Sequence, residues 1–268
     1  MDSAGNKHRF ATLLALAVPI CSLLLMLFLR PLAVPDEGRY ADVARLMLVN
    51  QDYVVPRLNG LPFFHKPPML YWFESASFHL FGIHDWAARL APALHGIALL
   101  LGLHLFNKRL FGNRFANRCS LLLGTSLPWL LGSQYVNHDM VVASWISLTI
   151  MAFAAGLELN SAKLMRFGFL AAACGVLSKG LIGIVLPGMV LFFWIALTQQ
   201  WRKLLSVPWL SGVLLFLALG LPWFILMEQR YPGFFDYFFI EQQFHRFTGK
   251  NFNNVQPWWF YWVVMLLL

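Results

Sequence analysis

Residues 11–29, ATLLALAVPICSLLLMLFL, run for 19 positions without a charge. A helix needs about 20 apolar residues to cross a hydrocarbon core. Lys7, His8 and Arg9 precede the block, and Arg30-Pro31 follows it. A basic flank before an apolar run can mark a secretory leader, but Arg30-Pro31 stands where a small-residue cleavage site belongs. The block therefore reads as a signal-anchor and first span.

Similar blocks recur near 88–106, 119–134, 140–157, 167–177, 181–198 and 207–226, and another begins at Pro257. The whole chain is 59% hydrophobic and 12% charged, with a mean hydropathy of +0.62. That composition cannot supply the charged surface of a soluble domain. Because the blocks are continuous and do not alternate apolar with polar, a β-barrel is excluded. The expected fold is all-α: one polytopic membrane-embedded domain over 1–268, with about seven complete spans and the start of an eighth. The net charge of +8 comes from scattered residues that flank spans, so it marks topology and not nucleic acid. Cys21, Cys119 and Cys174 lie in separate apolar blocks and read as small buried residues, not as a disulfide framework.

The connections test this division. An N-terminus inside places Lys7, Arg9, Lys108, Arg109, Arg114, Arg118, Lys163, Arg166, Arg202 and Lys203 on the cytoplasmic side. Short outer turns then hold only Lys179, which agrees with the positive-inside rule. The block 167–177 is short, about 16 Å as a helix, so 167–198 reads as either one broken helix or two spans. Two spans are preferred, because one would move Arg202 and Lys203 outside.

Two long outer segments, 30–87 and 227–256, carry the polar content. Glu37 to Asn50 has helical apolar spacing and predicts an amphipathic helix at the membrane interface. Met69 to Phe81, after Pro67-Pro68, predicts a second. Ten acids fall on the outer side, among them Asp36, Glu37, Asp139 and Glu241.

Asp36-Glu37 follows the first span, and Asp139 lies between two spans. Each could simply cap a helix. Each could also orient a hydroxyl or accept its proton, and if the two turns converge, Asp36 and Asp139 form a carboxylate pair. Lys66, Lys179 and Arg246 are outer cations that together suit a phosphate at headgroup depth, although a lysine beside a span can also merely snorkel. His95 and His104, inside a span, read as packing residues. No Walker or dinucleotide motif is present, so a soluble nucleotide donor is not indicated.

In this order the residues resemble the GT-C glycosyltransferases, most closely the aminoarabinose transferase and protein mannosyltransferase-like branch. The resemblance rests on Pro35-Asp36-Glu37-Gly38-Arg39-Tyr40, Phe64-His65-Lys66-Pro67-Pro68 with Tyr71-Trp72, and His138-Asp139. It continues through Ser178-Lys179-Gly180, Pro187-Gly188, Pro232-Gly233-Phe234-Phe235, Arg246-Phe247 and Pro257-Trp258-Trp259. It implies an enzyme of the bacterial inner membrane that moves a sugar, with inversion, from a polyprenyl-phosphate carrier to a lipid, protein or glycan acceptor at the periplasmic face. A lipid A-type acceptor fits that branch. By resemblance the catalytic residues are Asp36, Asp139 and Glu37, and the substrate-binding residues are Arg39, Tyr40, His65, Lys66, Lys179, Glu241 and Arg246. Lys66, Lys179 and Arg246 would hold the carrier phosphate.

Two departures bear on cofactors. His65 stands where that branch typically has Glu, and Gln242 where it has His, which counts against its divalent metal site and against aminoarabinose as the sugar. A divalent metal is thus left open by the resemblance, and no other cofactor is expected. Family members are longer than this chain, so the sequence reads as their motif-bearing part. The competing readings are a lipid-linked substrate transporter or flippase, which predicts repeats and broken helices, and a non-catalytic relative.

Overall fold

A computed structural model of the protein describes residues 3–245 and 256–267. The first apolar block forms α1 (Ser3–Met26), with Pro19 inside it. The chain then turns outward through Leu27–Pro31 and enters the first long connection. Arg246 lies outside the described residues.

That connection is more structured than a loop. Its first element, α2 (Asp36–Asn50), buries Ala41, Val43, Ala44 and Met47 along one stripe, matching the apolar spacing. A two-stranded hairpin follows, β1 (Arg57–Leu58) against β2 (Leu61–Pro62). Its turn residues Asn59 and Gly60 both have positive φ, 51° and 80°, the geometry that Asn-Gly favours in a two-residue hairpin turn. This hairpin is a small addition to the all-α expectation. Next, α3 (Met69–Phe81) starts directly after Pro67-Pro68, where prolines restrict the preceding residues to non-helical backbone.

Both helices were expected to lie on the interface, yet each packs a face on protein. Ser75 Oγ donates to Ala44 O of α2, and Ser77 Oγ donates to Ala87 O of the following helix α4 (Asp85–Phe111), both at 2.7 Å. Tyr71, Phe78, Ala87, Ala88 and Val136 close a core with the buried stripe of α2.

The third block, expected as one span over 119–134, is two helices, α5 (Asn113–Gly124) and α6 (Leu127–Gln134). Pro128 explains the break: it has no N–H to extend a helix from α5 and sits comfortably in a first turn. Beyond it, α7 (His138–Glu158) crosses the bundle. The short block 167–177 belongs to a longer helix, α8 (Ala162–Lys179), whose 18 residues make about 27 Å. At Gly180, φ +86°, the chain reverses into α9 (Ile182–Thr198). The segment 167–198 is thus two helices. They meet where a Cβ added to Gly183 would lie 2.1 Å from the backbone of Gly175, an approach that only paired glycines permit.

After a 3₁₀ turn, α10 (Trp209–Arg230) crosses again, and the chain continues as a π-helical stretch, Asp236–His245. A last described helix covers Phe260–Leu267. Among the described residues, α1, α4, α7 and α10 are each long and apolar enough to cross a membrane. The three cysteines are unpaired; Cys21 is exposed and Cys119 and Cys174 are half-buried, not buried as expected.

The two long connections interlock. Trp223 Nε1 of α10 donates to Val54 O at 2.8 Å, and Arg230 pairs with Asp52 at 2.8 Å. Phe64 meets Tyr231 and Phe234 edge-on, with ring centroids 5.0 and 5.7 Å apart. Asp52 also accepts from the Val54 and Val55 amides at 3.2 Å. One end of the bundle therefore carries the start of α2, the 57–68 segment, the start of α7, the tip of the α8–α9 hairpin and the 231–241 segment. The opposite end carries the Lys203–Glu158 pair.

Candidate active site

At the first of those ends, adjacent carboxylates have opposite surroundings. Asp36 is the first residue of α2, with Pro35 before it and no side-chain cap bond. Capping therefore does not explain it. Its side chain is 46% exposed and pairs with Arg39 one turn on. The Arg39 guanidinium also sits 5.1 Å from the centre of the Tyr40 ring, a cation–π distance.

Glu37 points the other way and is fully buried. Arg30 binds both of its oxygens, and Arg89, itself fully buried, approaches both at 3.4 Å. The amides of Ala33 and Val136 donate to it at 2.6 and 3.0 Å. Burial pushes the Glu37 carboxyl up, but the bonds from Arg30, Ala33, Val136 and Arg89 outweigh that and bring it down to about 2. The clamp also binds the two acid-bearing segments together: Arg30 donates to Gln134 O at 2.9 Å, and Gln134 Nε2 donates back to Leu23 O of α1 at 2.7 Å. All of Glu37's oxygen capacity is thereby engaged.

The second acid, Asp139, opens α7. The helix is capped by Asn137, whose side chain accepts from the Asp139 amide at 2.9 Å and donates to Asp139 Oδ2 at 3.0 Å, so Asp139 is not itself the cap. Its side chain is 62% exposed and pairs with Lys179 from the tip of the α8–α9 hairpin. Lys179 was expected to meet an anion. In this structure the anion is Asp139.

His138 joins the pieces. Its ring stands edge-on to both Tyr40 and Tyr71, with centroids 5.1 Å away in each case. Its Nδ1 lies 2.8 Å from Ser178 O, beside Lys179. The charges of Lys66 and Lys179 both reach it. Tyr40 itself is raised above its ordinary value mainly by burial; Arg39 opposes this, and Asp36 and Asp139 add to it. Both acids thus act on one phenol, and Asp36, Arg39, Tyr40, Lys66, Asp139 and Lys179 are gathered around the Tyr40–His138 contact.

His65 and Glu241 stand on a neighbouring wall. His65 is exposed and stacks on Tyr237 at 6.3 Å, with 20° between the rings. Gln242 Nε2 donates to the Tyr237 hydroxyl at 2.8 Å, and exposed Glu241 adjoins it. Among the described residues, no three His, Cys, Asp or Glu side chains come together as ligands for a metal ion. Arg30 and Arg89 escaped notice in the sequence. An arginine four residues into an apolar helix is a signal that could have found Arg89, since such a charge needs a partner.

Residues 65–226, more than half of the chain, match the family described as dolichyl-phosphate-mannose-protein mannosyltransferase. The undecaprenyl phosphate-alpha-4-amino-4-deoxy-L-arabinose arabinosyl transferase of Pseudomonas savastanoi is 31% identical over 261 residues, covering 96% of this chain and 48% of the relative. The Pseudomonas aeruginosa transferase of the same name is 32% identical, covering 90% of this chain and 46% of its own. Crystal structures of ArnT from Cupriavidus metallidurans superpose well. The apo form gives a TM-score of 0.85 at 30% identity over 95% of this chain and 47% of that one. The form bound to undecaprenyl phosphate gives 0.83 at 32% identity, over 87% and 44%. The chain spans about half the length of the curated relatives it matches. It is a multi-pass helical membrane protein, and it belongs to the dolichyl-phosphate-mannose-protein mannosyltransferase family, within the GT-C membrane glycosyltransferases.

Proposed function

We propose that this chain carries the donor and catalytic half of a membrane glycosyltransferase that takes a sugar from a polyprenyl-phosphate carrier. The acceptor is a lipid, protein or glycan, with a lipid A-type molecule the nearest parallel to the relatives. The observation that carries this reading is the gathering of Asp36, Asp139, Lys66 and Lys179 around Tyr40 and His138, in a chain of this family. The undecaprenyl phosphate held by the Cupriavidus protein supports a carrier of that chemistry.

Asp36 acts as the base in this reading. It is exposed, held by Arg39, and stands where an acceptor hydroxyl can approach. As that hydroxyl loses its proton to Asp36, its oxygen attacks the anomeric carbon from the face opposite the carrier. The bond to the carrier phosphate breaks, and charge builds on the leaving phosphate. Lys66 and Lys179 stabilise that charge, joined by Arg246. An acceptor that is already an anionic phosphate needs no base. In this reading Lys179 exchanges its Asp139 partner for the phosphate, which leaves Asp139 to orient the sugar. Glu37, with all its oxygens engaged, positions Asp36 and does not touch substrate. The Lys and Arg bias of the short loops supports a cytoplasmic N-terminus and a periplasmic site in the inner membrane.

Sugar transfer from purified polyprenyl-phosphate sugars in proteoliposomes tests this. Wild type should transfer, and Asp36→Asn and Asp139→Asn should not. Equal transfer by all three would overturn the roles of Asp36 and Asp139, and no transfer by wild type would leave a transporter or a non-catalytic relative.

A further inference from the structure

Behind the Asp139 turn, five side chains on three helices present buried polar atoms that find no hydrogen-bond partner among the described residues. They are Tyr71 Oη and both carboxyl oxygens of Glu74 on α3, His95 Nε2 on α4, and His138 Nε2 and Trp145 Nε1 on α7. Tyr71 and Glu74 are fully buried, and His95 and His138 are 3% and 2% exposed. Tyr71 and Glu74 share a face of α3, one turn apart, and His138 and Trp145 share a face of α7, two turns apart. The rings connect those faces. Tyr71 stands 5.1 Å from His138, His95 stands 5.8 Å from Trp145, and Phe73, next to Glu74, stands 4.6 Å from His95.

Buried polar atoms are almost always partnered, by ordered water where the protein offers nothing. Here the donors and acceptors match. His138 Nδ1 lies 2.8 Å from Ser178 O, and His95 Nδ1 lies 2.8 Å from Ala91 O. A carbonyl only accepts, so each Nδ1 carries a proton, and each Nε2 of a neutral ring is left as a bare acceptor. Tyr71 and Trp145 each bring a donor. An ionised Glu74 would add only acceptors, whereas a neutral Glu74 adds one donor and one acceptor. The set then holds three donors, from Tyr71, Trp145 and Glu74, and as acceptors the two Nε2 atoms, the Glu74 carbonyl and the Tyr71 oxygen.

We propose that Tyr71, Glu74, His95, His138 and Trp145 line an internal water site between α3, α4 and α7, directly behind the candidate active site. Its ligand is water, which both donates and accepts and so bridges groups that do not touch. Glu74 is the neutral acid of the site: burial first, and the charge of Glu37 second, push its carboxyl well above the usual range. The site anchors His138 from behind, and His138 in turn sets the start of α7 that carries Asp139. Nothing in this assignment depends on the transfer reaction.

Difference infrared spectra of the full chain in lipid nanodiscs test it, comparing wild type with Glu74→Gln in H2O and in D2O. The expected result is a carbonyl stretch of a neutral carboxylic acid that is lost in Glu74→Gln and shifts down in D2O. No band lost in Glu74→Gln would mean an ionised Glu74, and a band that keeps its H2O position in D2O would mean a dry pocket; either overturns the assignment. If Glu74→Gln does not fold, wild type alone decides. Ordered density within hydrogen-bond distance of Glu74 and His138 Nε2 supports the water site, and direct side-chain bonds with no water between them overturn it.

Discussion

Asp36 and Glu37 are adjacent in sequence, and the protein uses them in opposite ways. Asp36 is half-exposed and held by one partly exposed arginine. Glu37 is sealed beneath it by two arginines and two amides. The first has spare oxygen capacity to meet a substrate and the second has none. The comparison teaches that a site can place a reactive carboxylate by fixing its neighbour, because one peptide link transmits the position of a buried anchor to an exposed group.

The largest effect should come from the exposed member. Asp36→Asn should lower sugar transfer about 10²- to 10⁴-fold, the usual contribution of a general base, while the thermal midpoint in detergent stays unchanged. A large drop in midpoint would break the contrast.

Glu37→Ala should act on stability, costing about 3–5 kcal/mol, because it leaves Arg89 charged and buried without its partner. Denaturation in mixed micelles measures this. The pH dependence sharpens the same point. The Glu37 carboxyl is lowered in the folded protein from 4.5 to about 2. A depressed carboxylate contributes its stability above its unfolded value and loses it as pH falls through the folded value. The part of stability that depends on Glu37 should therefore be flat from pH 7 to about 4.5 and decline toward pH 2. Glu37→Gln should remove that decline.

Gly183→Ala should cost about 1–3 kcal/mol, as overpacking does, because the new methyl would collide with the Gly175 backbone. It should also displace Lys179 at the hairpin tip. Lys179→Met should cost less stability still, under about 1 kcal/mol for a partly exposed pair. Its KM for the carrier-linked donor should nonetheless rise about tenfold or more, since a hydrogen bond to a charged group is worth about 1.5–3 kcal/mol.

Much of the fold was legible in the sequence. The apolar blocks, the stripe of α2 and the start of α3 after Pro67-Pro68 are local properties, written in periodicity and proline position. Pro128 and Asn59-Gly60 were equally local signals, and they account for the split of the third block and for the hairpin. The candidate residues were legible as chemistry, by charge and position near spans. Their surroundings were not. Nothing near Glu37 in the chain indicates that Arg89, 52 residues on, will close over it, and nothing near Lys179 points to Asp139.

Membrane class, helical character and the residue types available at the outer turns follow from the order of amino acids alone. Length without charge and apolar periodicity decide those, whatever the chain later packs against. Which of two neighbouring carboxylates is buried, and which cation meets Asp139, is settled by packing between segments. Burial and pairing are set by distances between segments far apart in sequence, and those distances exist only once the helices have packed.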